Sequence, residues 1–183
     1  MRHPILFTGH MIDNAKREQP RFPKDKEKPV TDEMMKQLSE VFATTKNSLI
    51  GIASGACGGD IIFHELCERA GIPSEIFLPL PIEEFKKESV SFAGTDWEAR
   101  FHRLIKKLPV HLLPAEKSNS SVNVWAATNE WMIESAQKIN SNEMTLLALW
   151  DGKGGDGEGG TEHMINMAKK KGAKINIIRI NEI

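Results

Sequence analysis

The sequence predicts an α/β fold, a Rossmann-like, doubly wound and mostly parallel sheet of about six strands. Three observations carry that expectation. Short apolar runs recur along the 183 residues and several end on glycine, the habit of buried strands that feed a tight turn. Segments with apolar residues at helical spacing lie between those runs. The two patterns alternate through the chain, so most strands are expected to be followed by a helix that crosses back over the sheet.

Taken in order, Ile5 to Thr8 reads as the first strand, ending at Gly9. Thr31 to Thr45 carries Met34, Met35, Leu38, Val41 and Phe42 at helical spacing, with Thr31 and Asp32 as start signals. Leu49 to Ala53 is the second strand, and Ile61, Ile62, Leu66 and Ala70 mark one face of a helix closed by Gly71. Glu75 to Leu80 is the third. Ile82 to Lys107 reads as two helical pieces broken near Gly94, followed by a short strand from Val110 to Leu113. Ser121 to Lys138 puts Val122, Trp125, Ala126, Asn129, Met132, Ile133 and Ala136 on a helical stripe, where Asn129 interrupts an otherwise apolar face. Met144 to Trp150 is the plainest strand; a glycine-rich loop to Gly160, a helix from Thr161 to Lys171 and a strand from Lys174 to Ile180 follow. His10 to Pro29, rich in charge and proline, is expected to be a long loop, and Pro114 to Ser121 a polar linker. The length suits one domain over residues 1–183.

Composition narrows the function classes. A formal net charge of -1 gives no global pull toward nucleic acid or anionic lipid, so neither is expected as a partner. Cys57 and Cys67 lie ten residues apart without the CxxC spacing of a zinc site, and read as reduced thiols of a cytoplasmic protein. The opening Met1-Arg2-His3-Pro4 lacks the apolar core of a signal peptide, and no stretch approaches the about 20 apolar residues of a membrane span.

Ligands of an open parallel sheet sit beyond the carboxyl ends of its strands, where helix starts offer free amides. Three glycine-bearing strand ends fit that rule: Thr8-Gly9-His10, Ser54-Gly55-Ala56-Cys57-Gly58-Gly59-Asp60, and Trp150-Asp151-Gly152 continuing to Gly159-Gly160-Thr161. Glycine lets backbone approach a phosphate, and Thr8, Ser54 and Thr161 bring hydroxyls. A single such turn is explained by conformation alone, but three together favour an anion-cradling site. Arg21, and less so Arg17, can close over it from the long loop. His10 is a candidate phosphate donor or general acid, and His64, inside a helix, is expected to be structural. Asp60 and Asp151 suit ribose hydroxyls or a magnesium ion, although Asp60 also suits a helix start. Trp125 and Trp131 can stack on a base, and Arg100 can pair with a carboxylate. Asp156 and Glu158 do not match a calcium-loop spacing, so no metal is expected.

The strand-end set resembles the SLOG superfamily, the Rossmann-like group that includes the LOG phosphoribohydrolases and the DprA/Smf proteins. The closest likeness is to a bacterial branch that also occurs attached to TPR repeats and nucleotide cyclases. It is carried by Phe7-Thr8-Gly9-His10-Met11-Ile12-Asp13, Arg21-Phe22-Pro23, Ser54 to Asp60, Ser89-Val90-Ser91-Phe92-Ala93-Gly94 and Trp150-Asp151-Gly152. The resemblance implies a nucleotide or NAD-derived ligand, bound by a sensor or a hydrolase, and leaves a homodimer open. The LOG enzymes carry a glutamate three positions past the threonine of their glycine run; here that position is Met164, while Glu162 directly follows Thr161 and suits a ribose hydroxyl or the helix start. No catalytic residue is assigned.

Two rivals are weighed. Gly55-Ala56-Cys57-Gly58-Gly59 satisfies the nucleophile-elbow pattern with cysteine in the serine position, and Asp151 and His163 follow in hydrolase order; a helix start would lower the Cys57 pKa. A DprA-like nucleic-acid module is opposed by the acidic pair Asp156 and Glu158 in the glycine loop. For the favoured site, the sequence alone suggests that Gly59→Trp or Thr161→Trp blocks binding with little loss of fold.

Overall fold

The computed structural model describes every residue except Met1, Ala15, Lys46, Asn119, Ser120, Val122, Gly155 and Asp156. Val122 of the expected helical stripe and Asp156 of the acidic pair therefore lie outside the described residues. Six strands form one sheet: β1 (Arg2–Gly9), β2 (Ser48–Ala53), β3 (Ser74–Leu78), β4 (Val110–Leu112), β5 (Thr145–Trp150) and β6 (Lys174–Arg179). Their spatial order is β4-β3-β2-β1-β5-β6, and every pairing is parallel. The helices are α1 (Glu27–Thr44), α2 (Gly59–Arg69), α3 (Ile82–Ser89), α4 (Thr95–Lys107), α5 (Val124–Ile139) and α6 (Thr161–Lys170). The α/β expectation holds.

Although the strands read as unbroken apolar runs, their two-residue period divides the core into two layers. Ile5 and Phe7 of β1, Leu49 and Ala53 of β2, and Leu147 and Leu149 of β5 pack with α1, α2, α3 and α4. Leu6, Ile52, Leu146 and Ala148 face the other way and pack with α5 and α6. Chain order thus runs outward from β1 to β4 under one layer of helices, and then α5 carries it back across the opposite face to β5. The strands on either side of the β1–β5 seam leave their carboxyl ends toward opposite layers, α1 on one and α6 on the other. That divergence opens a crevice at the seam, the place where such sheets hold ligands.

Boundary differences have local causes. Pro4 sits inside β1, yet pairing with β5 begins only at Ile5, so the missing N–H falls where β1 has a neighbour on one side. Helix α1 starts a turn before Thr31: Pro29 is tolerated among first-turn residues whose amides lack helical partners, and the Thr31 hydroxyl donates back to Glu27 O at 2.7 Å. Pro79 and Pro114 follow the shortened ends of β3 and β4. Asn123 caps α5 by accepting from the Trp125 and Ala126 amides, which moves its start to Val124. Phe42, expected on the buried stripe of α1, points outward at 64 % exposure, while Met34, Leu38 and Val41 form the packed face.

The long loop after β1 is ordered by few contacts. Ile12 and Phe22 are buried in the core, Met11 bridges Gly58, and the Ile12 amide donates to Cys57 O. The loop closes on itself at Asp13, whose amide donates to Phe22 O and whose Oδ2 accepts from the Arg21 and Phe22 amides at 2.9 Å each. A carboxylate receiving two backbone donors eight and nine residues on clasps the two ends of the loop together. It fixes where Arg21 leaves the backbone.

Candidate functional site

A cleft of about 330 Å³ opens at the carboxyl ends of β1, β2 and β5, over the switch in strand order. Of the residues expected at a site, it gathers Thr8, Gly9, His10, Arg21, Ser54, Asp60, Gly159, Gly160 and Thr161. Arg17, Glu88, Ser89, Trp125, Asn129, Met132 and Glu158 also line it. Helices α2 and α6 both begin beside the cleft on glycine, and neither start is closed by a side-chain cap. The start of α6, at Gly160 and Thr161, lines the cleft alongside two guanidinium groups, whereas the Gly59 amide of α2 is already given to His10 O.

Arg21 is held inward by a network that the sequence does not spell out. Its Nε lies 3.5 Å from Asp151 Oδ2, and its Nη2 lies 3.4 Å from His10 Nε2. His10 Nε2 is also 3.1 Å from both the Asp151 amide nitrogen and Asp151 Oδ1. One ring nitrogen carries at most one proton: protonated, it serves the carboxylate; bare, it accepts from the amide. His10 is therefore tied into the loop junction, and its role is to join β1, β5 and Arg21 rather than to act as a free acid at the cleft. Burial works against ionisation of Asp151, but the Lys153 amide, His10 and Arg21 outweigh it and hold its carboxyl below the usual range. Asp151, expected at a ribose, lies behind the lining and is engaged by Arg21 and His10.

The turn after β2 divides between packing and the cleft. A Cβ on Gly58, whose φ is +96°, would stand 2.5 Å from the Ile12 nitrogen, and one on Gly59 would stand 2.9 Å from the Phe7 ring. The Gly59 amide already donates to His10 O. A Cβ on Gly55 would press on Phe101. These three glycines let the turn, the β1 loop and α4 come together, and none of the three, expected at a phosphate, lines the cleft. Gly59→Trp consequently reports on folding, and Thr161, itself buried, is no neutral place for a large side chain either.

Ser54 and Asp60 do face the cleft. The Ser54 carbonyl accepts from His64 Nε2 at 2.9 Å, while His64 Nδ1 meets Ser74 Oγ at 2.9 Å. Burial, only partly offset by these backbone contacts, drops the His64 pKa to about 4, so a neutral imidazole ties α2 to the ends of β2 and β3. That matches its expected structural role. Asp60 is buried, with Oδ2 accepting from the Ala56 amide at 3.1 Å; burial pushes its pKa up to about 7 against that bond. The Ser54 hydroxyl is buried without a partner among the described residues.

On the opposite wall Asn129 Nδ2 donates to Gly159 O at 2.9 Å, and Asn123 Nδ2 to Glu158 O at 2.9 Å, so α5 holds the glycine loop against the cleft. The break in the apolar stripe at Asn129 was the one sequence signal for this contact. Trp125 stands beside Gly159 and tilts on Phe85 at 6.0 Å, with 37 % of its surface open. Trp131 packs on Phe77 at 4.6 Å instead and lies outside the cleft lining, which removes it as a base platform there. Arg100 is spent on Glu65 and Glu27, with its guanidinium 3.9 Å from the Trp97 ring centre. Glu162 belongs to a neighbouring depression with Lys153 and His163, and Met164 is fully buried. The glutamate is thus not placed on the cleft lining.

The nucleophile-elbow arrangement is not assembled. Cys57 is buried and burial pushes its thiol up to about 12, the reverse of the lowering expected from a helix start. His163 Nδ1 accepts from the Gly159 amide at 3.2 Å, and Asp151 is engaged by His10 and Arg21. Cys57 and Cys67 are both free thiols, as expected. Among the described residues no group of His, Cys, Asp and Glu side chains is arranged to hold a metal ion, and no helix is long and apolar enough to cross a membrane.

Fold and cleft together define a Rossmann-like α/β protein with a crevice of mixed apolar and polar lining at its topological switch, where Arg17 and Arg21 stand with Asp60, Glu88 and Glu158. No protein-family model, curated protein or solved structure matches the chain.

Proposed function

We propose that the cleft binds a phosphate-bearing nucleotide or NAD-derived small molecule, as the sensing or processing element of a SLOG-like domain. One observation carries the reading: the uncapped start of α6, Arg17 and Arg21 converge on a single crevice at the β1–β5 seam, with the open face of Trp125 on its wall. Amides at a helix start and guanidinium forks are the groups that hold phosphate oxygens, and an indole offers a face to a base. A volume of about 330 Å³ falls in the range of small-molecule pockets, roughly 300–1,000 Å³.

N-glycosidic hydrolysis is a second reading, and what favours it is Asp60, a buried carboxyl on the cleft whose pKa is raised toward neutrality, as a proton donor or acceptor needs. Screening AMP, ADP-ribose, NAD and cyclic nucleotides by thermal shift, with mass spectrometry of each mixture, tests both. A saturating ligand is expected to raise the melting temperature by about 5 °C or more. Recovery of that ligand intact supports a sensor and release of free base supports a hydrolase. No response to any member of the panel overturns the binding function.

A further inference from the structure

We propose that Ser54 and Asp60 form a subsite for the vicinal hydroxyls of a ribose, so that the cleft selects ribonucleotides with a free diol over their deoxy counterparts. The inference rests on the nucleotide reading and adds an orientation to it. Asp60 is 8 % exposed and lines the cleft, with Oδ2 on the Ala56 amide. A carboxylate accepts more than one hydrogen bond, and this one repels a phosphate. Ser54 belongs to the same cleft lining; its hydroxyl is buried and meets no partner among the described residues, while its carbonyl is clamped by His64. A buried hydroxyl left unpaired is costly, and a ligand that supplies its partner recovers that loss. The complement of a carboxyl group and a hydroxyl is a pair of neutral hydroxyls, which can donate to and accept from both. The phosphate then belongs at Arg17, Arg21 and the start of α6. A base is left to the Trp125 side.

Calorimetry with AMP, 2′-deoxyadenosine 5′-monophosphate and 3′-deoxyadenosine 5′-monophosphate tests this. Wild type is expected to bind AMP about tenfold or more tightly than at least one deoxy analogue. In Ser54→Ala, whose lost hydroxyl served no bond among the described residues, and in Asp60→Asn, the gap should shrink to about threefold or less. Melting curves of both variants confirm that they fold. AMP and both deoxy analogues binding within about threefold of one another in wild type would overturn the diol subsite while leaving nucleotide binding intact. Failure of AMP alone to bind at about 1 mM would overturn the diol subsite, and failure of AMP, ADP-ribose, NAD and the cyclic nucleotides together would overturn both.

Discussion

Asp60→Asn is expected to stabilise the protein at pH 8, by about 2 kcal/mol, while weakening whatever binds in the cleft. The Asp60 carboxyl is buried at the second position of α2, and burial lifts its pKa from 3.8 to about 7. The folded protein therefore holds this proton more tightly than the unfolded chain does. Below about pH 4 both states are protonated and the wild type and the asparagine variant should differ little. Between pH 4 and 7 the unfolded state releases the proton first, so the wild type loses stability as pH rises; above pH 7 the folded state carries the full cost of a buried charge. The pKa of about 7 is already net of the Ala56 amide bond; about 2 kcal/mol is expected rather than the about 4 kcal/mol that three pKa units represent because the asparagine amide is itself a polar group taken into the same buried place. Asparagine keeps an oxygen for the Ala56 amide. Melting curves should show the variant about 5 °C above wild type at pH 8, with the gap closing toward pH 4. Equal melting temperatures at pH 8 would show that Asp60 is solvated, and would remove its argument as a tuned group.

Gly58→Ala is expected to cost about 3 kcal/mol. At φ +96° an alanine is strained whatever the space, and its Cβ would meet the Ile12 nitrogen at 2.5 Å and His10 O at 3.0 Å. Backbone of the β1 loop cannot withdraw cheaply, because Ile12 is buried and its amide bonds Cys57 O. The melting temperature should fall by about 8 °C. A variant that melts within a degree of wild type would mean that the loop does not pack on this turn, and Gly58 would return as a ligand contact.

These two neighbours show what the sequence makes legible and what it does not. The turn after β2 was recognisable as a glycine-rich strand end, and its place on the sheet edge follows from Leu49–Ala53 being apolar throughout. Which glycine serves packing depends on the approach of Ile12 and Phe7, residues about 50 positions away in sequence, and no local pattern reports it. The same holds for Asp13, which reads as one more charge in a charged loop until its carboxylate is seen taking the Arg21 and Phe22 amides. Strand order was likewise hidden, since parallel pairing is set by long-range contacts. Alternation of strands and helices, the structural role of His64 and the pairing of Arg100 were all within reach, because they depend on periodicity, helix position and charge. Glu162 was drawn toward the cleft by its position in the chain, but one residue along a helix turns a side chain by about 100°, and that step takes it to the neighbouring depression.

Ligand binding at the β1–β5 seam is tested most directly by tryptophan fluorescence during titration with AMP, ADP-ribose or NAD. Trp125 is the tryptophan on the cleft wall; Trp97 is buried, Trp131 packs on Phe77 and Trp150 is bonded to Lys153 O. A saturable change in emission with at least one of these ligands, greatly reduced in Trp125→Phe although that variant still binds by calorimetry, is the expected result. Binding with unchanged emission would place the ligand elsewhere on the protein, and no binding of any of the three would contradict a nucleotide site altogether.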